Sequence, residues 1–236
     1  MSDTHDIDHL VAQAQERTGL AELDSDSWRE GLGIVLEETA LPPVTDRGRA
    51  MVAGRVVDAL ANRLRVHAYV QEHPEVLDER IERPLFVLGM PRTGTTVVSY
   101  LLAEDPARRP LLKWEAVDPV PPATTETLRT DPRCLEMKER DALVLDHMKS
   151  AGMDIPHWEE ADGPTECMFL HEQDFKGLLW DAWTPTMRYA DWLLDEADMT
   201  STYEYEKRVL QVLQSKAPGT WSLKMPSHAV HLATML

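Results

Sequence analysis

Leu85-Phe86-Val87-Leu88-Gly89-Met90-Pro91-Arg92-Thr93-Gly94-Thr95-Thr96 is the stretch that decides how this chain is read. Leu85 to Leu88 is a short, wholly apolar run between Pro84 and Gly89, the pattern of a strand buried on both faces in a parallel sheet. Gly94 to Ala103 then has helical composition and offers Val97, Val98, Leu101 and Leu102 to a core. Strand, glycine turn and helix open a βα unit. The turn itself suits an anion. Gly94 lets the backbone approach closely, and the N–H groups of Gly94, Thr95 and Thr96 point outward at a helix N-terminus, where the dipole favours negative charge. The spacing is that of a nucleotide phosphate loop with Thr95 in the lysine position. Arg92 supplies a cation instead, and its fork can grip an oxyanion bidentately.

Upstream, the first 80 residues read as helix. Ile7, Leu10, Val11 and Ala14 fall at i, i+3, i+4, i+7 within Asp6 to Leu20. Asp24 or Ser25 can cap a second helix carrying Trp28, Leu32, Val35 and Leu36. Beyond Pro42-Pro43, Thr45 can cap a third that runs to about Gln71 with Met51, Val52, Val56, Leu60, Leu64 and Ala68 inward. His73-Pro74 ends it, because the residue before proline avoids the helical region.

Downstream, Asp105 to Pro122 is broken by five prolines, with a marginal strand around Leu111 to Trp114. Asp131 to Ser150 is a helix with Pro132 at its first position. A further helix is expected from about Pro164 to Phe175, Thr184 can cap a turn entered at Pro185, and Thr200 to Ser215 is helical again. Trp221 to Lys224 is the second clear strand, after which Ser227 caps a helix still running at Leu236. A doubly wound sheet usually has about five strands. With two clear ones and a marginal third, the sequence reads as the N-terminal part of a longer protein.

Composition narrows the function classes. Hydrophobic residues make up 43% and charged residues 28% of the 236, an ordinary globular mix, and 24 Lys and Arg against 41 Asp and Glu give a net charge of −17. Such a balance argues against nucleic acid or an anionic membrane as the partner, since both reward basic surface. No apolar stretch reaches the roughly 18 residues of a membrane span, and the acidic N-terminus is no signal or transit peptide. Cys134 and Cys167 share no metal-binding spacing, so reduced thiols in a cytoplasmic protein are expected. His157 with Glu160, and His228 with His231, have i, i+3 spacing that suits a metal, but neither has a third ligand and both read as ordinary polar pairs. Glu166 reads as a helix N-terminal acid, and Trp158, Trp180, Trp183 and Trp192 as core or pocket wall.

Pro91 to Thr96 resembles the 5′-phosphosulfate-binding loop of sulfotransferases that use 3′-phosphoadenosine 5′-phosphosulfate, where Pro-Lys/Arg-Ser/Thr-Gly-Thr-Thr follows a buried strand. With Pro84 to Pro106 and Trp221-Ser222-Leu223-Lys224-Met225-Pro226-Ser227-His228, it is similar to the bacterial branch of that family over residues 83–236. The resemblance implies an α/β fold with a P-loop-NTPase-like parallel sheet flanked by helices over residues 81–236, behind a helical N-terminal extension over 1–80. It also implies a phosphosulfate co-substrate held by Arg92, Thr93, Gly94, Thr95 and Thr96, and a small-molecule hydroxyl acceptor. Glu115 stands where tyrosylprotein-type enzymes place their glutamate base. Lys224 matches their lysine on the leaving bridging oxygen. His228 is a second base candidate, as histidine is in cytosolic sulfotransferases. No metal is implied, because the donor lacks the oxygens that Mg²⁺ bridges in nucleoside triphosphates. The family's Arg and Ser for the 3′-phosphate have no counterpart before Leu236. Two other readings stay open, a kinase or NTPase and a non-catalytic anion-binding interaction protein. Thr95 and the lack of a Walker-type Asp weigh against the first.

Overall fold

A computed structural model of the chain describes residues 6–90, 92–153 and 158–235. In chain order the elements are α1 (Ile7–Thr18), α2 (Arg29–Thr39), α3 (Asp46–Glu72), β1 (Leu85–Val87), α4 (Thr95–Ala103), β2 (Arg108–Pro110), α5 (Lys113–Val117), α6 (Pro132–Ser150), α7 (Met168–Glu172), α8 (Arg188–Asp195), α9 (Thr200–Gln214), β3 (Thr220–Lys224) and α10 (Leu232–Met235). They form two units, each drawn from separate stretches of the chain. One comprises Met1–Leu77, Met168–Val209 and Ser227–Leu236; the other comprises Asp78–Cys167 and Leu210–Pro226. Residues 168–209 and 227–236 therefore join the N-terminal helices, although the sequence reading assigned them to the domain starting at 81.

In the first unit, Asp6 caps α1 by accepting from the backbone N–H of Asp8 at 2.9 Å, and Gly19 ends it at φ 70°. Thr45 caps α3 through Gly48 N–H. Leu10, Ala14, Trp28, Leu32, Val56, Leu60 and Leu64 build one core with Phe175, Trp180, Tyr189 and Trp192. Met51 is an exception to the expected face, being 52% exposed. Neither Asp24 nor Ser25 caps α2, which starts from Trp28 without a side-chain cap. Asp24 is spent on Arg63 instead, accepting from Nε at 2.8 Å and Nη2 at 3.0 Å. Helix α8, which buries Tyr189, Ala190, Trp192 and Leu193, lies between the turn expected at Thr184–Pro185 and the helix expected from Thr200, where no element is assigned from the sequence.

The second unit holds a three-stranded sheet in the order β1-β3-β2, both pairs parallel, with Phe86 beside Leu223 and Arg109 beside Trp221. β3 is central; β1 and β2 are edges among the described residues. Three expectations are corrected here. The first strand is not buried on both faces, since Leu85 and Phe86 are half-buried and Leu88 is exposed beyond its end. Val97 and Leu101 of α4 are 64% and 68% exposed, so the helix does not send its whole apolar set into the core. The third strand lies at Arg108–Pro110, and Lys113–Val117 is a helical turn.

Two helices also fall short of their expected spans. Of residues 164–175, only Met168–Glu172 is helical. Pro164 bridges Leu112 in antiparallel fashion, and Cys167 N–H donates to Lys224 O at 3.0 Å, so this part of the chain is extended. After β3 the chain makes a 3₁₀ turn at Pro226–Ala229 and only then the short α10.

Candidate active site

The loop between β1 and α4 is shaped for close backbone approach. Gly94 sits at φ 91°, where an L side chain is strained. A Cβ on Gly89 would lie 2.8 Å from Thr95 Cγ2 and 3.0 Å from Thr93 Oγ1. Thr93 closes the turn on itself by donating its hydroxyl to Met90 O at 2.7 Å. No side chain caps α4 at Gly94, which leaves the amides of the first turn for an acceptor from outside the helix. Arg92 is exposed and has no ion-pair partner among the described residues. Pro91 lies outside the described residues.

Lys224, at the carboxyl end of β3, is 1% exposed, and a buried ammonium requires partners. Its Nζ donates to Glu166 Oε1 at 2.7 Å and lies 3.4 Å from both Glu159 Oε1 and Thr96 Oγ1. Thr165 fixes the second carboxylate by donating its hydroxyl to Glu159 Oε2 at 2.6 Å. Glu166 Oε2 is buried, with no hydrogen-bond partner among the described residues. The segment carrying these acids is laced to its neighbours through backbone bonds. Lys113 N–H donates to Gly163 O, Trp114 N–H to Ala161 O and Thr165 N–H to Leu111 O. Lys113 Nζ adds bonds to Asp141 Oδ2 at 2.7 Å and Glu159 O at 3.0 Å. Carboxylates distant in sequence from Lys224 are thus delivered to the helix end of the phosphate loop.

Glu115 is placed differently. It is wholly buried, and both its oxygens are taken by Arg109, at 2.7 Å from Nη2 and 3.2 Å from Nη1. The guanidinium also stacks over Trp221, 4.2 Å from the ring centre. His228 lies in the first unit, inside the 3₁₀ turn, with Nδ1 3.0 Å from the Tyr203 hydroxyl. His171, paired to Glu206 at 2.6 Å, stands edge-on to the Tyr203 ring. Burial pushes His228 down to about 4 from its ordinary 6.5, with the neighbouring charge of Glu206 acting the other way. Of the two histidine pairs, His157 is outside the described residues, and His228 is turned to Tyr203.

The comparisons bear on this arrangement directly. The family model described as "Sulfotransferase family" matches residues 84–236, the span that holds the loop, Glu166 and Lys224. The chain belongs to the sulfotransferase family. This sulfotransferase-family chain is similar to the crystal structure of sulfotransferase STF9 from Mycobacterium avium, with 63% identity and a TM-score of 0.92 over 98% of this chain and 59% of that one. It is also similar to sulfotransferase STF1 from Mycobacterium tuberculosis H37Rv, with 31% identity and a TM-score of 0.85 over 100% of this chain and 65% of that one. The chain therefore spans less than two thirds of either relative. No curated protein matches it.

Two measurements test the placement of these groups. Arg92→Ala should weaken adenosine 3′,5′-bisphosphate at least about tenfold, or roughly 1.4 kcal/mol, in calorimetry. An unchanged dissociation constant would remove Arg92 from the site. The other measurement concerns His228, which stays neutral in the folded chain below the pH at which the unfolded chain protonates it. The unfolded state then binds the extra proton, so stability is full above about pH 6.5 and falls as pH drops toward 4. From about pH 6.5 to about pH 5 the loss should be about 2 kcal/mol. His228→Gln should flatten that limb of the urea-unfolding pH profile, and an unaltered slope would assign it to other groups.

Proposed function

We propose that the protein takes part in sulfuryl transfer from 3′-phosphoadenosine 5′-phosphosulfate to the hydroxyl of a small-molecule acceptor. The observation that carries this reading is Lys224 Nζ beside Thr96, at the mouth of an uncapped, glycine-turned phosphate loop in a chain of this family. The donor set fits the phosphosulfate: backbone amides, the Arg92 fork, two threonine hydroxyls and a buried ammonium are all groups that hold oxyanions. When bound, that group supplies a sulfuryl centre attached through an oxygen that leaves as phosphate.

In this reading Arg92 and the Gly94–Thr96 amides orient the donor, and Lys224 stabilises charge growing on the bridging oxygen. The acceptor proton goes to Glu166 Oε2 rather than to Glu115. A base needs a lone pair that can reach the proton. Both Glu115 oxygens accept from Arg109, whereas Glu166 engages Lys224 through Oε1 and its Oε2 has no hydrogen-bond partner among the described residues. Thr93 holds the loop closed, and His228, packed on Tyr203, has no step assigned to it.

The family and this donor set weigh against a kinase. No described helix is long and apolar enough to cross a membrane, and both cysteines are buried thiols, which supports a reducing compartment such as the cytoplasm. A thermal-shift comparison tests the ligand class. Adenosine 3′,5′-bisphosphate should raise the melting temperature, and ATP with Mg²⁺ should not. The reverse order would replace this reading with a phosphoryl-transfer enzyme.

A further inference from the structure

Along the chain, His228 and His231 have the spacing of metal ligands but no third ligand beside them. The fold of the first unit gathers further donors around His228. His171 from α7, Glu206 from α9 and His228 from the 3₁₀ turn before α10 are all buried, and they meet in one cluster. His171 Nε2 lies 2.6 Å from Glu206 Oε2, and the ligand atoms of Glu206 and His228 fall within 4.8 Å of each other. The two imidazoles stand edge to face with ring centres 5.8 Å apart. His231 borders them, since burial and then the charge of His171 hold it below the ordinary histidine range. Sulfuryl transfer as proposed above uses none of these groups.

We infer that His171, Glu206 and His228 form a site for one divalent ion of the zinc class. Imidazole and carboxylate together are donors such ions take, whereas calcium and magnesium favour oxygen alone. The spacing agrees. On a tetrahedral zinc with each nitrogen about 2.1 Å from the ion, two imidazole ring centres stand roughly 5 Å apart and adjacent ligand atoms roughly 3.4 Å apart. To reach that geometry, the His171–Glu206 contact opens and the Glu206–His228 gap closes, each by on the order of 1 Å. Binding does not call for vacant side chains. The ion exchanges the His171–Glu206 hydrogen bond for a coordinate bond to each partner, and its charge meets a carboxylate that is shut away from water.

Tyr203 stands behind the ligands as an orienting group. Its hydroxyl lies 3.0 Å from His228 Nδ1, a bond that sets the ring and makes Nε2, which is shut off from solvent, the nitrogen a metal takes. The Tyr203 ring also packs edge-on to His171, with centres 5.1 Å apart, so one tyrosine holds both imidazoles. Tyr203 and His231 are half-buried, which gives an ion its route in. The three ligands come from α7, α9 and the 3₁₀ turn, so the ion acts as a cross-link within this unit and not as a reactive centre.

The test is a titration of this chain, freed of metal with a chelator, first with cobalt(II) chloride and then with zinc(II) chloride. One equivalent of cobalt(II) should bind with the strong visible absorption of a four-coordinate ion, and zinc should displace it and bleach the colour. The zinc form should also melt at a higher temperature than the metal-free chain, as for any ligand of the folded state alone. His228→Gln and Glu206→Gln should each weaken cobalt binding at least about tenfold. His147→Gln, at an exposed position of α6, should leave it unchanged. Tyr203→Phe removes a hydroxyl and no ligand, so it decides the matter even where a ligand variant fails to fold; it should weaken binding about tenfold, the scale for an outer-shell partner. No binding, or only the pale spectrum of six-coordinate cobalt, in the unmodified chain overturns the proposal. Full-strength binding in folded His228→Gln or in Tyr203→Phe overturns it as well, and so does a loss in His147→Gln as large as in the ligand variants.

Discussion

Asp174→Ala is expected to lower the unfolding free energy by about 3–5 kcal/mol, the scale for breaking a buried ion pair from one side. Asp174 is wholly buried and its two oxygens serve four close donors. Oδ1 accepts from Arg63 Nη1 at 2.7 Å and from Ser27 at 3.0 Å; Oδ2 accepts from Thr202 at 2.6 Å and from Ser201 at 3.1 Å. Arg63 is 1% exposed, forks onto Asp24 and lies 4.6 Å from the centre of the Tyr205 ring. Removing the carboxylate leaves part of a buried guanidinium and three hydroxyls short of an acceptor, and the helices they join, α3 and α9, lose their polar tie. Asp174→Asn keeps the shape and some of the hydrogen bonds, so it should cost less than alanine. Urea unfolding of both variants measures the difference. A loss under about 1 kcal/mol for alanine would mean that water replaces the carboxylate at no great cost.

The second large effect separates Glu166 from Glu115. Glu166→Gln should cut sulfuryl-transfer turnover by about 10²-fold or more, the usual contribution of a positioned base, with the fold intact. Glu115→Gln should act chiefly on stability, by about 3 kcal/mol or more, because Arg109 is 5% exposed and would lose its charged partner. Turnover per folded molecule, taken from single-turnover rates normalised to the bisphosphate-binding fraction, distinguishes the two. A Glu166→Gln rate within about threefold of the unmodified chain would return the base role to Glu115 or His228.

Much of the second unit's framework was legible in order along the chain. The run from Leu85 to Thr96 announces strand, anion-cradling turn and helix because each step depends on a few adjacent residues. Apolar residues extend the strand, glycine admits a positive φ, and the amides of a helix start without a cap. The cap at Thr45 is legible for the same reason, its hydroxyl reaching a backbone N–H three residues on, whereas Asp6 and Asp131, expected only as the first residues of helices, turn out to cap them in the same way. Where the pattern misled, a tertiary partner outbid a local preference. Asp24 left the start of α2 for Arg63, and Pro164 to Cys167 paired as extended chain with Leu111, Leu112 and Lys224 instead of entering a helix.

What the sequence by itself determined is the phosphate loop and the elements on either side, and with them the family. Which carboxylate meets the site lysine was decided only by the tertiary structure. Glu115 stands close to the loop helix in sequence and carries the right chemistry, yet it is claimed by Arg109, six residues away. Glu166 and Glu159 reach Lys224 across 58 and 65 residues, carried there by a backbone bond to β3 and by the Thr165 hydroxyl. Charge and residue type are local properties that a sequence displays. The partner of a buried charge is set by which groups the folded chain desolvates together, and no spacing along the chain encodes that.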